Sequence, residues 1–198
     1  MTSSERDFWD AEAATFDDEP DHGLRDPQVH DAWRNLLIGL TPPIPSRIAD
    51  LGCGTGTLAL LLAEEGHSVD GIDISPEMVR RASAKAGTFP GVGFVVGDAG
   101  EPPFETGAYE VVLCRHVLWA LPDPDAALAR WVDLLTPTGR ILLIEGSWST
   151  GAGLRAEQTV ALAEEAGLST DVRSLDDPAY WGKRIDDERY VVVGRRRP

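Results

Sequence analysis

The 198-residue sequence contains only two cysteines, Cys53 and Cys114, and neither has a partner at metal-ligand spacing. A disulfide framework needs more cysteines, so we expect both to be small buried side chains and predict no metal site. No apolar run approaches the roughly 18 residues that cross a bilayer. The polar, acidic N-terminus lacks the apolar core of a signal peptide. These absences predict a cytoplasmic protein with no membrane partner.

Positive charge is also scarce, because 18 lysines and arginines stand against 33 acidic residues, giving a net charge of −15. Such a field repels phosphate backbones, so we expect no nucleic-acid partner. The basic cluster Arg195–Arg197 is the exception, and we interpret it as a solvated tail after the last strand. A small molecule remains the expected partner, and the sequence does not fix an oligomeric state.

Short apolar strands alternate with helical segments along most of the chain. This alternation predicts an α/β fold with a single doubly wound, mostly parallel seven-stranded sheet, helices on both faces and an antiparallel last strand. Ligands bind such sheets at the carboxyl ends of the strands. The strands are predicted at 47–51, 68–72, 92–96, 110–114, 140–144, 170–175 and 189–193.

The strongest local signal is the glycine-rich turn over residues 49–56, Ala-Asp-Leu-Gly-Cys-Gly-Thr-Gly, which follows the first strand. Glycines at alternate positions allow a tight turn and a close approach of the backbone to a ligand. The spacing is not the dinucleotide fingerprint, and no Gly-Lys-Ser/Thr follows to make a P-loop. Asp50 places a negative charge at the turn, which disfavours a pyrophosphate and suits a cationic ligand.

Two further acids end the second and third strands. Asp73 stands about 20 residues after the glycine turn, where a carboxylate can accept both hydroxyls of a ribose. Asp98 ends the third strand, and its alternative is a simple turn-forming role. Met78 lies one turn into the next helix, so it is expected either near the nucleoside or in the core.

Residues 47–146, with these motifs, resemble the class I (Rossmann-like) S-adenosylmethionine-dependent methyltransferases of small molecules. The resemblance implies S-adenosylmethionine as cofactor, with Gly52 and Gly54 under its methionine moiety and Asp50 near its amino group. It also implies that Asp98 lies on the adenine amino group. The residues then expected at the cofactor are Asp50, Gly52, Cys53, Gly54, Gly56, Asp73, Ile74, Met78, Asp98, Ala99 and Arg115.

The resemblance also divides the chain. Residues 1–45 are predicted to be an N-terminal helical lid segment, and residues 46–198 a Rossmann-like methyltransferase domain. Within the lid segment a helix is expected over 31–40, followed by a proline-rich break. The acids at 17, 18, 19 and 21 either favour a cationic acceptor or form a solvated loop.

The segment 113–121 after the fourth strand resembles the stretch that runs from the sulfonium into the substrate pocket. It lacks the Asn/Asp-Pro-Pro-aromatic motif of DNA amino-methylating enzymes, and Arg115 replaces the carboxylate of metal-dependent catechol-type enzymes. His116 is the candidate catalytic residue, a general base, with a structural histidine as the alternative. The expected pocket residues are Trp9, Phe16, His116, Trp119, Glu145 and Trp148.

These observations predict methyl transfer to an O, N or C nucleophile of a small molecule, and family-level analogy suggests secondary metabolism. Two alternatives stay open: a protein that binds S-adenosylmethionine without methyl transfer, and a different sulfonium chemistry on the same fold. A nicotinamide oxidoreductase is disfavoured by the glycine spacing.

Overall fold

A computed structural model describes residues 3–197. Met1 and Thr2 of the predicted lid segment and Pro198 of the predicted methyltransferase domain lie outside the described residues. One seven-stranded sheet has the order β3-β2-β1-β4-β5-β7-β6. The first five strands in this order run parallel, and β7 pairs antiparallel with both neighbours. This confirms the predicted fold class. The strands are β1 Arg47–Leu51, β2 Ser68–Asp73, β3 Val92–Val96, β4 Tyr109–Arg115, β5 Leu135–Ser147, β6 Leu168–Ser174 and β7 Glu188–Arg196.

Seven α-helices connect or cover these strands within the described residues. Several begin at the caps that the sequence predicts: the Ser75 hydroxyl accepts from Met78 N at 3.1 Å, and the Asp123 carboxylate accepts from Ala126 N at 3.0 Å. Proline follows each cap at the first helical position. The helices are α1 Ser3–Glu12, α2 Pro20–Gly23, α3 Pro27–Leu40, α4 Thr57–Glu64, α5 Pro76–Ala86, α6 Pro124–Leu134 and α7 Ala156–Glu165.

The sheet has a hydrophobic core on each face, because its strands send alternate side chains to opposite sides. On one face, Leu51, Val112 and Leu143 pack with the fully buried Trp131 of α6. On the other, strand residues such as Ile48 pack against α3 and α4. The switch in strand order between β1 and β4 leaves a crevice at their carboxyl ends, where such folds bind ligands.

Three local expectations need correction. Helix α3 begins at Pro27 rather than at residue 31, because the Asp26 side chain caps it by accepting from Gln28 N at 2.8 Å. Strand β5 begins at Leu135, well before the predicted residue 140. Arg195 and Arg196 belong to β7 rather than to a solvated tail, and Arg196 donates to the Val132 carbonyl at 2.7 Å. Over residues 3–197, no helix is both long and apolar enough to cross a membrane.

Candidate functional site

The glycine turn joins β1 to α4 in a conformation that requires glycine. Gly52, Gly54 and Gly56 have φ of 78°, 53° and 77°, in the left-handed region. The amides of Gly52 and Cys53 both donate to the Ile72 carbonyl, at 2.8 and 2.9 Å, which ties the turn to the end of β2. A Cβ on Gly52 would lie 2.2 Å from Val117 Cγ2. The turn therefore has no room for a side chain on the side of Val117.

A cavity of about 270 Å³ lies over this turn, at the carboxyl ends of β1, β2, β4 and β5. Fourteen of the residues predicted for the cofactor or the substrate line it, and they come from six separate stretches of the chain. These are Trp9, Phe16, Asp50, Gly52, Cys53, Gly54, Asp73, Ile74, Met78, Ala99, Arg115, His116, Trp119 and Trp148.

Asp73 is fixed at the rim of the turn. Its Oδ2 accepts from Gly54 N and its Oδ1 from Ser75 N, both at 2.9 Å. Burial raises its pKa, and the two amide donors oppose that rise. Each carboxylate oxygen keeps a lone pair beyond the one used by the backbone. The side chain is thus oriented in advance to accept two hydroxyls of a ligand.

Asp50 and Arg115 form a buried charged region on the floor of the cavity. Burial raises the pKa of Asp50 to about 7; Arg115 opposes this rise and Asp73 adds to it. The Arg115 guanidinium donates to the Asp21 carbonyl at 2.7 Å and lies 5.0 Å from the centroid of the Trp33 ring. A cationic ligand group beside Asp50 would restore its ionised form.

Three predicted site residues do not line the cavity. Gly56 is the N-cap residue of α4, and a Cβ there would meet Phe94 at 2.8 Å and Ala82 at 2.9 Å, so it serves close packing. Asp98 caps its own turn by accepting from Gly100 N at 2.8 Å. Glu145 is completely buried behind the cavity, on the same face of β5 as Leu143.

Glu145 instead holds the turn after β4. Its Oε1 accepts from Val117 N at 3.1 Å and from Leu118 N at 2.8 Å, while its Oε2 has no hydrogen-bond partner within residues 3–197. Burial raises its pKa to about 8, so the group is a neutral acid at pH 7.

His116 has a strained backbone and a neutral ring. Its φ is 58°, a value that non-glycine residues seldom adopt and that often marks functional sites. The ring lies 5.2 Å from Trp148, edge to face, and stacks on Trp181 at 6.1 Å. Burial holds its pKa well below 6.5, and the nearby Arg115 and Arg189 lower it further. Its Nε2 is buried and has no hydrogen-bond partner among the described residues.

An N-terminal segment, residues 3–26, covers the cavity. Phe16 packs on the glycine turn, so that a Cβ on Gly54 would lie 3.2 Å from Phe16 Cε1. The Phe16 ring stacks on His22 at 4.1 Å, and both line the cavity with Trp9. His22 was not predicted, because a single histidine in an acidic loop gives no periodic signal.

Aspartates attach this segment to the elements around the cavity. The Asp10 carboxylate accepts from the Ser75 hydroxyl and from Glu77 N, at the start of α5. Asp17 accepts from the Thr55 hydroxyl at 2.5 Å and pairs with Lys85 at 2.6 Å. The remaining acids of the predicted cationic-acceptor patch make the contacts Asp18–Arg25, Glu19–Lys183 and Asp21–His22, the last with an imidazole whose pKa burial lowers. None of these acids lines the cavity, so the expectation of an acidic acceptor site is not supported.

Sequence reasoning missed several other residues of the lining. Thr55, Thr57 and Leu58 belong to the glycine turn and the first turn of α4. Their closeness to Gly54 in the sequence was the one feature that could have predicted them. Val117 and Ala120 lie in the segment that had been singled out only for His116 and Trp119. Within residues 3–197, no three His, Cys, Asp or Glu side chains gather where they could hold a metal ion.

Comparison with known proteins adds a family match. A family model described as a methyltransferase domain matches residues 49–143. The nocamycin O-methyltransferase of Saccharothrix syringae is 36% identical over 152 residues, covering 69% of this chain and 54% of the relative. The chain spans about half the length of the curated relatives it matches.

Solved structures share the fold. A TehB-like SAM-dependent methyltransferase from Corynebacterium glutamicum is 25% identical, with a TM-score of 0.67 over 83% of this chain and 87% of that one. The 4+2 cyclase SpnF has a TM-score of 0.74 at 21% identity, over 84% of this chain and 81% of its own. The likeness to the cyclase is a likeness of fold alone.

Proposed function

We propose that this chain, a member of the class I S-adenosylmethionine-dependent methyltransferases, transfers the methyl group of S-adenosylmethionine to a small organic acceptor. One observation carries the proposal: Asp50, Asp73 and the bare backbone of Gly52–Gly54 border the same cavity. A ligand with a ribose diol at one end and cationic groups at the other suits this arrangement. The donor supplies the reactive methyl group, so the protein's task is binding and orientation.

We assign Asp73 to the ribose hydroxyls and Asp50 to the ammonium group of the donor. Asp73 is supported by its fixed orientation, since Gly54 N and Ser75 N hold one lone pair of each oxygen. Asp50 is supported by its burial, because a neighbouring cation would return its raised pKa to the ordinary range. Arg115, Cys53, Ile74, Met78 and Ala99 are proposed as the surrounding contacts, since they line the same cavity.

His116 remains a candidate catalytic residue by its position in the cavity lining. Its unpaired Nε2 has no accessible surface in this arrangement, so contact with an acceptor would require the ring to turn. An in-line transfer to an acceptor that is already nucleophilic needs close positioning and exclusion of water more than a base.

We further propose that the N-terminal segment opens to admit the donor and closes over the reacting atoms. Trp9, Phe16 and His22 cover the cavity, and the contacts of Asp17 with the Thr55 hydroxyl and of the Asp21 carbonyl with Arg115 are polar. Segments of this kind often gate turnover. Deletion of residues 1–20 tests the idea: methyl transfer should collapse while donor affinity changes little, and normal turnover would contradict it.

The experiment for the main proposal has two readouts. Titration calorimetry should show binding of S-adenosylmethionine, and mass spectrometry should detect S-adenosylhomocysteine when a pool of small acceptors is added. Binding without product would favour a protein that holds the donor without methyl transfer. Consumption of the donor without a methylated product would favour another sulfonium chemistry. Absence of binding would overturn the proposal.

A further inference from the structure

The two ends of the cavity differ in charge. Both carboxylates of its lining, Asp50 and Asp73, lie at the end formed after β1 and β2. The end formed after β4 and β5 has no carboxylate among the described lining residues. Glu145 lies behind that end but is neutral at pH 7, because burial raises its pKa to about 8. The lining at this end comprises Arg115, His116, Val117, Trp119, Ala120 and Trp148.

Aromatic rings dominate this second end. Trp119 and Trp148 lie 5.5 Å apart at a tilt of 56°, and the His116 ring is 5.2 Å from Trp148. The Arg189 guanidinium lies 4.7 Å from the centroid of the Trp148 ring. Arg115 and Arg189 are both close enough to His116 to lower its pKa. We call Trp119, Trp148 and His116 the aromatic wall.

Trp148 is held rigidly in this wall. Its amide donates to the Ala152 carbonyl at 2.9 Å, and a Cβ on Gly153 would lie 2.3 Å from its ring. Asp187 accepts from Ser149 N at 2.7 Å and pairs with Arg189 at 3.1 Å, which fixes the cation beside the ring. A ring held in this way loses little freedom when a ligand stacks on it.

We propose, resting on the proposed function, that the aromatic wall is the acceptor subsite, and that it takes a flat conjugated ring compound methylated on an ionised hydroxyl oxygen, a phenolate or an enolate. Flat rings stack on tryptophan with a favourable geometry that saturated rings lack. An oxyanion is attracted by the Arg115 guanidinium of the lining and more weakly by Arg189, which lies beside Trp148 and is already paired with Asp187. An amine would enter as an ammonium ion beside the same cations and without a carboxylate partner.

The step balances without a base from the protein. The acidic hydroxyl loses its proton to water before the acceptor binds. The oxygen then forms a bond to the methyl carbon as the carbon–sulfur bond breaks, and that electron pair stays on sulfur. The charges of oxyanion and sulfonium cancel, which leaves a methyl ether and S-adenosylhomocysteine. This fits His116, whose lowered pKa makes it a poor acceptor for a proton.

The test uses the full chain saturated with S-adenosylhomocysteine and three probes. These are hydroxynaphthoquinone, whose enol is ionised at neutral pH, the aminonaphthoquinone of the same ring system, and naphthylmethylamine, which is an ammonium ion. Calorimetry should show hydroxynaphthoquinone binding at least about tenfold more tightly than either amine. With S-adenosylmethionine, mass spectrometry should show its methyl ether.

Substitutions test whether hydroxynaphthoquinone binds at the aromatic wall. Trp148→Ala should weaken hydroxynaphthoquinone binding about tenfold and Trp148→Phe much less, with affinity for S-adenosylhomocysteine within about twofold. Phe89→Ala is the matched control, because Phe89 is an exposed ring between α5 and β3, 38% accessible and outside the cavity lining. Its binding should match that of the wild type.

The outcomes separate the two proposals. If S-adenosylhomocysteine itself does not bind, the proposed function fails and the acceptor class fails with it. If it binds but hydroxynaphthoquinone binds no better than the amines, or not at all, only the acceptor class is overturned. An unchanged affinity in Trp148→Ala would also overturn the subsite.

Discussion

Glu145 Oε1 accepts a hydrogen bond from the backbone N–H of Leu118 at 2.8 Å, across the junction between β5 and the turn after β4. The same oxygen accepts from Val117 N at 3.1 Å. These two bonds lie next to His116, whose φ of 58° requires support from its surroundings. The Trp119 indole adds a third tie, donating to the His116 carbonyl at 3.0 Å. A buried acid thus fixes the backbone that carries two members of the aromatic wall.

Replacement of Glu145 should therefore show how much these hydrogen bonds contribute to the free energy of unfolding. Glu145→Leu leaves two amides without an acceptor, which should lower the free energy of unfolding by about 2–4 kcal/mol, whereas Glu145→Gln keeps the carbonyl acceptor and should lose less. Urea denaturation measures both. An equal loss of unfolding free energy in the two variants would mean that Glu145 stabilises the fold by packing rather than by these hydrogen bonds.

Stability should fall as the pH rises above 6.5. Glu145 has a folded pKa of about 8 and Asp50 one of about 7, both above their ordinary values of 4.5 and 3.8. A raised folded pKa contributes stability that is complete below the unfolded pKa and is lost as pH rises through the folded pKa. Each group contributes a slope of about 1.4 kcal/mol per pH unit between its ordinary and its folded pKa, so the slope of Asp50 ends near pH 7 and that of Glu145 near pH 8.

The pH range of the measurement matters because His116 changes the stability in the opposite direction at lower pH. Its folded pKa is well below 6.5, so its contribution is lost as the pH falls below 6.5. Urea midpoints should therefore be compared between pH 6.5 and 8. Glu145→Gln should flatten the profile in that range, and a profile as steep as that of the wild type would argue against a raised pKa at this site.

Asp73→Asn should weaken donor binding by about 1–3 kcal/mol, because an amide oxygen is a weaker acceptor for ribose hydroxyls than a carboxylate. Asp70→Asn is the control, since Asp70 lies on the same strand but bonds Arg47 and Tyr109. Calorimetry with S-adenosylmethionine should separate them. Unchanged affinity in a folded Asp73→Asn protein would remove Asp73 from the ribose assignment.

Gly54→Ala should reduce donor affinity at least about tenfold. Its φ is 53°, and the new Cβ would lie 3.2 Å from Phe16 over the cavity. Gly66→Ala has a similar backbone strain, about 1–2 kcal/mol, but its Cβ would meet nothing within 4 Å. Comparison of the two variants therefore separates the effect of backbone strain from that of a side chain obstructing the cavity. If Gly54→Ala binds the donor as tightly as Gly66→Ala, the turn does not contact the donor.

The sequence predicted the sheet well because its signals are local. Strand β4 is apolar throughout its middle, and the caps at Ser75 and Asp123 mark helix starts whatever the tertiary structure. Helix α1 was missed because Phe8 and Trp9 are its only large apolar residues and give no helical stripe. The early start of β5 was missed because Pro137 and Gly139 read as a turn.

Site residues were predictable from the sequence where they stand at the end of a strand, and less so elsewhere. Asp50 and Asp73 needed only the strand boundaries. Glu145 was misplaced, although its two-residue spacing from Leu143 indicates the buried face of β5. His22 and Arg189 could not be found, because they reach the cavity and its wall through contacts far apart in sequence.

The antiparallel β7 has a consequence for the order of folding. Within residues 3–197, strand β6 pairs in the sheet only with β7, although it precedes β7 in the chain. On a ribosome, β1 to β5 can pair as they emerge, but β6 must wait for its later neighbour. Arg189, at the start of β7, and Asp187 just before it also brace Trp148. The glycine turn can therefore form well before the aromatic wall, which is completed by β7, the last strand of this sheet in chain order.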